Sequence, residues 1–185
     1  MALLDSALLD SGITQAEFAA ALGTSASRFS TYRSGQTKPS AAFCFRATRI
    51  AQALLTARRS RLMSAPATAT ALRHAENDAW AWRMLLQGRD HLRLMLDRAD
   101  GSAAAWEAAP RSTGDAGFDT LLAALACREF ERASLEPPAW TAPKRLSEPW
   151  VPEHPLLDAD QVIALTPDFL RDLNIFVPAR DLVTA

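Results

Sequence analysis

Two short helix patterns near the N-terminus, joined by a glycine, constrain the fold of this 185-residue chain more than its other features do. Thr14 precedes Glu17 by three residues, which is the spacing of a capping box at a helix N-terminus. Gly23 provides the backbone freedom that a tight turn requires, and Ser25 is suited to capping a second helix. Gly35 is suited to ending that second helix. Two capped helices around a glycine turn predict a helix-turn-helix.

Residues 3–55 resemble the Cro/repressor, or XRE-like, helix-turn-helix family. The resemblance lies in the run Gly-Ile-Thr-Gln-Ala-Glu-Phe-Ala at 12–19, the serine-rich second helix, and the spacing from Gly35 to Pro39. In that family the unit lies within a five-helix bundle and binds duplex DNA as a dimer, so the resemblance implies both properties here. One position departs from the pattern, because Arg33 stands where the family usually has an acidic residue that forms an internal ion pair.

Helix geometry separates two faces of the second helix. At about 100° per residue, Phe29 and Tyr32 share a face directed at the core, and the opposite side carries hydroxyl and basic groups. The side chains predicted to contact DNA from this helix are Ser27, Arg28, Ser30, Thr31 and Ser34. Hydroxyl groups contact several base edges without the bidentate geometry of arginine or glutamine, so we expect modest direct readout.

Four more residues are candidates for contacts with the DNA backbone. Gln15, at the start of the first helix, matches the family position that contacts a phosphate. The amide groups at that helix N-terminus also favour an anion. The basic side chains predicted to contact phosphates are Lys38, Arg46 and Arg49.

Charge is distributed unevenly although the net charge is only −1. Residues 1–62 contain eight basic and three acidic residues, a net charge of +5, whereas residues 63–185 carry a net charge of −6. A basic end joined to an acidic end is typical of a polyanion-binding module attached to another domain.

Composition and motifs argue against several other classes of protein. No run of about 18 apolar residues indicates a membrane span, and no basic segment precedes an apolar one as in a secretory signal. Two cysteines, Cys44 and Cys127, are too few for a disulfide framework, so we expect a reducing cytoplasm and buried thiols. The histidines are scattered without metal-ligand spacing, and no P-loop, GxGxxG or Gly-x-Ser-x-Gly motif occurs. We therefore predict no metal, no cofactor and no enzymatic activity.

Helical periodicity predicts an all-α fold with two domains. Apolar residues recur every three or four positions in three later segments: 41–55, 71–97 and 117–130. Residues 64–70 form an uncharged stretch with a proline, which we interpret as a linker or a helix start. The prediction is a helix-turn-helix domain at 1–63, a linker at 64–70, and a helical domain for partner binding or oligomerisation at 71–185.

Residues 137–155 interrupt the helical pattern with six of the eleven prolines. Trp140 and Trp150 lie in this segment, and each indole has a large apolar surface to cover. We expect an ordered loop packed over the helical core. Tryptophan is also the residue type most enriched in binding hot spots, so both indoles are candidate partner-binding residues. Packing against the core is the alternative for each of them.

The sequence therefore predicts a cytoplasmic transcriptional repressor that binds double-stranded DNA as a homodimer. In one hypothesis the second domain binds a protein, so that the chain is an antitoxin that neutralises a cognate toxin and represses its own operon. In the other, the second domain dimerises or senses a ligand in a free-standing regulator, which a pocket lined by convergent polar groups would indicate. An enzyme attached to a helix-turn-helix is a third hypothesis, and the motifs do not favour it.

Overall fold

The computed structural model describes residues 2–142 and 144–183, and its fold is all-α, as the periodicity predicts. The α-helices are α1 (Ala2–Ser11), α2 (Gln15–Ala21), α3 (Ala26–Ser34), α4 (Ala41–Arg59), α5 (Ala65–Arg73), α6 (Asp78–Arg98), α7 (Ala116–Arg132), α8 (Ala159–Ala164) and α9 (Asp168–Arg171). Short 3₁₀ helices cover Ser102–Trp106, Ala139–Thr141 and Ala179–Leu182. Across the described residues, no helix combines the length and apolarity needed to cross a membrane.

Each of the two compact units is built from two segments of the chain. Unit 1 comprises Met1–Thr70 and Asp90–Arg111, and unit 2 comprises Ala71–Arg89 and Ser112–Ala185. Helices α5 and α6 therefore each contribute residues to both units. The predicted division at residues 63 to 71 placed all of the chain after the linker in one domain, and it missed the return of the chain to unit 1.

Residues 64–70, interpreted from the sequence as a linker or a helix start, are a helix start, because α5 begins at Ala65; their assignment as a linker between domains is wrong. Ala65 and Ala69 are buried in α5, which no free linker would allow. Pro66 lies in the first turn of the helix, where a missing backbone N–H breaks no intrahelical hydrogen bond. An uncharged, alanine-rich stretch suits a buried helix, and its composition alone does not distinguish the two structures.

Unit 1 is closed by contacts between its two segments. Helix α4 packs against α1 and against the 3₁₀ helix Ser102–Trp106. The Trp106 side chain is fully buried, and its Nε1 donates a hydrogen bond of 2.9 Å to the carbonyl of Met63. The amide of Met63 donates to Nδ1 of His91, also at 2.9 Å. The segment from 90 to 111 is thus part of the core of the helix-turn-helix unit.

Unit 2 is organised around α7, whose apolar side is buried along its length. In the described part of the proline-rich segment, residues 137–142 and 144–155, the 3₁₀ helix Ala139–Thr141 and Trp150 pack against α7, as expected of an ordered loop over the helices. Trp150 pairs through its backbone with the segment after α9, since its amide donates to Asn174 O and its carbonyl accepts from the Phe176 amide, both at 2.9 Å. Its indole lies against Phe118 of α7, with ring centroids 5.2 Å apart.

Candidate nucleic-acid interface

Helices α2 and α3 form the predicted pair with the predicted caps. Thr14 accepts from the Glu17 amide, and the Glu17 side chain accepts from the Thr14 amide, so the capping box is confirmed. Ser25 accepts from the Arg28 amide at the start of α3. Gly23 in the turn and Gly35 after α3 have φ values of +71° and +80°, which glycine adopts without strain.

The inner face of α3 is fixed to the core by aromatic rings. Phe29 is fully buried, and its ring meets that of Phe18 edge to face at 5.6 Å. Tyr32 contacts Phe43 of α4, with ring centroids 5.0 Å apart. This packing sets the rotation of α3 about its own axis. As a result, Ser27, Arg28, Ser30 and Ser34 are exposed, and Thr31 is half-buried.

The polar groups of α3 are already oriented by contacts within the helix. The hydroxyls of Thr31 and Ser34 donate to carbonyls three residues earlier, at 2.9 and 3.2 Å. Arg28 donates from Nε to the Tyr32 hydroxyl at 2.9 Å, and its guanidinium lies 5.8 Å from the centroid of that ring. A hydroxyl whose proton is used in this way still accepts hydrogen bonds, so these groups suit the exocyclic amino groups of bases.

Arg33 forms an ion pair of its own at the position where the family pattern has an acidic residue. Its Nε lies 2.7 Å from Oδ1 of Asp5 on α1, and its Nη1 donates to Oε1 of Gln15 at 2.5 Å. Gln15 in turn donates to the carbonyl of Ala26 at 3.3 Å. The predicted phosphate contact at Gln15 is therefore held in place by a network that joins α1, α2 and α3.

The three predicted basic phosphate contacts differ in their surroundings. Lys38 is exposed in the loop after α3. Arg46 donates to the carbonyl of Ala21 at 3.4 Å. Arg49 forms a two-pronged ion pair with Glu107, with N–O distances of 2.6 and 2.5 Å. The Glu107 hydrogen bond raises the pKa of Arg49, although partial burial opposes this. A phosphate would have to compete with Glu107 for Arg49, whereas Lys38 has no carboxylate partner among the described residues.

Arg111 is a basic residue at this surface that the sequence did not indicate. Its Nε lies 3.0 Å from Oε1 of Glu17, and its Nη2 donates to the Thr14 hydroxyl at 3.4 Å. It therefore stands at the N-terminus of α2, where an anion is already favoured by the helix amides. No local pattern marks Arg111, because 97 residues separate it from Thr14.

The two candidate partner-binding tryptophans are both half-buried in unit 2. Trp150 covers Gly117 so closely that a Cβ on that glycine would lie 2.2 Å from the indole. This contact and the Phe118 ring give Trp150 a packing role, which is the alternative that the sequence left open. Trp140 lies in the 3₁₀ helix Ala139–Thr141.

Unit 2 also contains an open cleft of about 680 Å³. Its walls include the aromatic rings of Trp82, Phe118 and Trp150 together with Val162 and Val177. Trp82 and Trp150 each meet the Phe118 ring edge to face, with centroids 5.9 and 5.2 Å apart. No sequence signal indicated this cleft, since its residues come from α6, α7, α8, the 3₁₀ helix Ala179–Leu182 and the loops beside these helices.

Polar groups converge on the same cleft. They are Asp78, Asp115, Glu153, His154, Arg180 and Asp181. His154 donates from Nε2 to Asp181 at 3.2 Å, and its Nδ1 accepts from the amides of Leu156 and Leu157, both at 3.0 Å. The imidazole is thus fixed in one orientation at the wall.

Within the part of the chain that the structure describes, no three His, Cys, Asp or Glu side chains are arranged to hold a metal ion. Both cysteines are free and half-buried, rather than buried as expected, and burial raises the pKa of Cys127. Comparison of the sequence with protein-family models, of the chain with curated proteins, and of the fold with solved structures finds no match.

Proposed function

We propose that the protein is a sequence-specific DNA-binding transcriptional regulator that contacts duplex DNA through α3. The observation that carries the proposal is the capped α2–turn–α3 arrangement, with α3 anchored by Phe29 and its hydroxyl and basic side chains exposed. A helix presented in this way suits the width of the major groove.

Charge supports the same proposal. Unit 1 contains eleven basic and seven acidic residues, a net charge of +4, and α3 itself contains two arginines and no acidic residue. Arg111 adds a further basic side chain at the start of α2, where a phosphate would compete with Glu17 for it as it would with Glu107 for Arg49. Phosphate contacts would supply most of the affinity, and the outer face of α3 would supply the sequence preference. A single α3 covers little DNA, so we further propose that the bound form is a homodimer.

For unit 2 we propose the role of an antitoxin domain that binds and neutralises a cognate toxin, so that the protein represses its own operon. Unit 2 contains nine basic and fourteen acidic residues, a net charge of −5, which favours a basic partner.

A free-standing regulator whose second unit senses a ligand is the alternative, and one observation favours it. The cleft in unit 2 has the size of small-molecule sites, apolar walls and several converging polar groups. A pocket of this kind is the structural feature that the ligand-sensing hypothesis predicts.

The experiment for DNA binding compares variants on the DNA upstream of the protein's own gene and on random duplex of equal length. The Ser27→Ala/Thr31→Ala double variant is expected to lose preference for the specific duplex. Lys38→Ala is expected to weaken binding to both duplexes alike. Lys144→Ala is the matched control, since Lys144 is the second lysine of the chain and is exposed in unit 2.

Salt dependence gives an independent measurement. Contacts with about five phosphates predict that log K falls with log salt with a slope of about −4 to −5 per protomer. Absence of binding to the upstream DNA even at low salt contradicts the proposal. A single protomer per palindromic duplex at saturation contradicts the homodimer.

A further inference from the structure

The cleft of unit 2 has walls that suit an apolar ligand with a positive charge. Trp82, Phe118 and Trp150 present aromatic rings to one space of about 680 Å³. Aromatic faces attract cations, and tryptophan does so more strongly than tyrosine or phenylalanine. Val162 and Val177 extend the same walls with aliphatic surface, on which an uncharged body of a ligand can pack.

The charges around the cleft are mostly negative. Four carboxylates line it against one arginine, Arg180. The His154 ring is held in the wall by its own contacts, since Nδ1 accepts two backbone N–H groups and Nε2 donates to Asp181. The carboxylates and the arginine of the lining together carry a net charge of −3.

Two of the four carboxylates are already bound within unit 2. Asp115 accepts from the amides of Gly117 and Phe118 at the start of α7. Asp181 accepts from His154 and lies 3.7 Å from Arg180. Asp78 and Glu153 are exposed, and among the described residues neither has an ion-pair partner. They are the two carboxylates at the cleft that remain available to a cationic group.

We propose that this cleft is a binding site for a small organic cation, an ammonium, amidinium or guanidinium group on an aromatic or aliphatic body. The apolar body packs among Trp82, Phe118 and Trp150, and the cation lies between the aromatic faces and the carboxylates of Asp78 and Glu153. The inference deepens the ligand-sensing alternative. It concerns unit 2 alone, so it is tested without DNA and stands or falls separately from DNA binding by unit 1.

The test is a calorimetric titration of the full chain with three probes of nearly equal shape. Benzamidinium is cationic, benzamide is neutral and benzoate is anionic. We expect benzamidinium to bind about tenfold more tightly than benzamide and benzoate to bind more weakly than both. Tryptophan fluorescence gives a second readout, since Trp82 and Trp150 line the cleft. Equal affinities for benzamidinium and benzamide overturn the proposal without the need for any variant.

Variants locate the site. The Asp78→Asn/Glu153→Gln double variant is expected to lower benzamidinium affinity towards that of benzamide, with the aromatic contribution retained, and to leave benzamide affinity unchanged. Asp160→Asn is the matched control, since Asp160 is an exposed acid of α8 outside the cleft lining. Unchanged benzamidinium affinity in the double variant overturns the proposed site.

A final titration distinguishes a small ligand from a protein side chain. The probe is the blocked peptide Ala-Leu-Arg-Leu-Ala, which presents a guanidinium on a backbone. We expect it to bind no more tightly than benzamidinium. Binding more than about tenfold tighter identifies the cleft as a docking site for a protein and overturns the small-ligand assignment.

Discussion

At the scale of single residues, unit 1 depends on side chains that bind the backbone of a distant segment. Met63 is the clearest example, because His91 accepts its N–H and Trp106 donates to its carbonyl, both at 2.9 Å. These two bonds connect the residues after α4 with α6 and with the 3₁₀ helix Ser102–Trp106. Because the acceptor is an imidazole nitrogen, one of the two bonds depends on pH.

Stability should therefore fall in mild acid because of His91. Burial lowers the pKa of His91, although Asp90 raises it in part. The unfolded chain then binds a proton near the ordinary pKa of about 6.5, whereas the folded protein resists protonation to a lower pH. The His91 contribution is complete above pH 6.5 and is lost as pH falls through the folded pKa.

Urea unfolding of the wild type and His91→Asn at pH 7.5 and pH 5 measures this effect. Asparagine retains an acceptor for the Met63 amide and does not titrate. We expect a smaller loss of stability between the two pH values in the variant than in the wild type. Equal losses would assign the pH dependence to other groups.

The contact between Gly117 and Trp150 predicts whether a substitution at Gly117 raises or lowers the stability of the protein. Alanine is normally favoured over glycine in a helix by about 1 kcal/mol. At Gly117 the added Cβ would meet the Trp150 indole at 2.2 Å, so Gly117→Ala should destabilise the protein by about 1–3 kcal/mol. Trp150→Ala removes the obstacle and should itself cost about 3 kcal/mol.

In the Trp150→Ala background, Gly117→Ala should become neutral or stabilising, because only helix propensity remains. Chemical denaturation of both single variants and the double variant measures this reversal. A stabilising effect of Gly117→Ala in the wild type would show that Trp150 does not hold the position described.

At the scale of elements, the sequence predicted those helices whose signals are local. The caps at Thr14, Ser25, Gly23 and Gly35 lie within a few residues of the backbone groups that they satisfy, so their pattern is visible in the chain. The exposed outer face of α3 was predictable for the same reason, because helix periodicity alone separates it from the buried face.

Contacts that depend on distant segments were not predictable. Arg111 pairs with Glu17 of α2, and Glu107 pairs with Arg49, which lies 58 residues earlier in the chain. No sequence pattern near Arg111 or Glu107 indicates these partners. Residues 64–70 were left open between a linker and a helix start, because their alanine, threonine and proline composition does not distinguish the two, and the burial of Ala65 and Ala69 in α5 was not visible in the sequence. The cleft of unit 2 escaped prediction because its lining comes from α6, α7, α8, the 3₁₀ helix Ala179–Leu182 and the loops beside them, which are far apart in sequence.

The end of α1 provides a prediction at this scale. Arg58 on α4 donates to the carbonyl of Asp10 at 2.5 Å and covers Gly12, whose φ of +65° ends α1. Arg58→Met retains the apolar stem and removes the donor, and it should cost about 1 kcal/mol of stability. Arg59→Met is the matched control, because Arg59 is exposed at the end of the same helix. It should change stability by less than about 0.5 kcal/mol. Equal effects on the thermal midpoint would exclude a specific role for Arg58 in ending α1.

At the scale of the whole molecule, each unit is discontinuous in sequence. A fragment of residues 1–63 contains the helix-turn-helix but lacks α5, the second half of α6 and the buried Trp106. We expect this fragment to be unfolded or to melt without cooperativity. A fragment of residues 1–111 contains every segment of unit 1 and should unfold cooperatively. Circular dichroism on heating distinguishes them, and cooperative melting of the shorter fragment would show that residues 90–111 are dispensable.

The discontinuity of both units also sets the order in which they can fold during synthesis. Unit 1 has helices α2 and α3 early in the chain, but it cannot close until Arg111 has left the ribosome. By then residues 71–89 have emerged with Trp82 and Leu85, while not all of their partners at 112–185 have emerged. At about 5–20 residues per second, synthesis of the 74 residues from 112 to 185 takes about 4–15 s. For that interval the nascent chain exposes an apolar stretch of α6 after all segments of unit 1 have been made, which makes that stretch a target for chaperones and proteases.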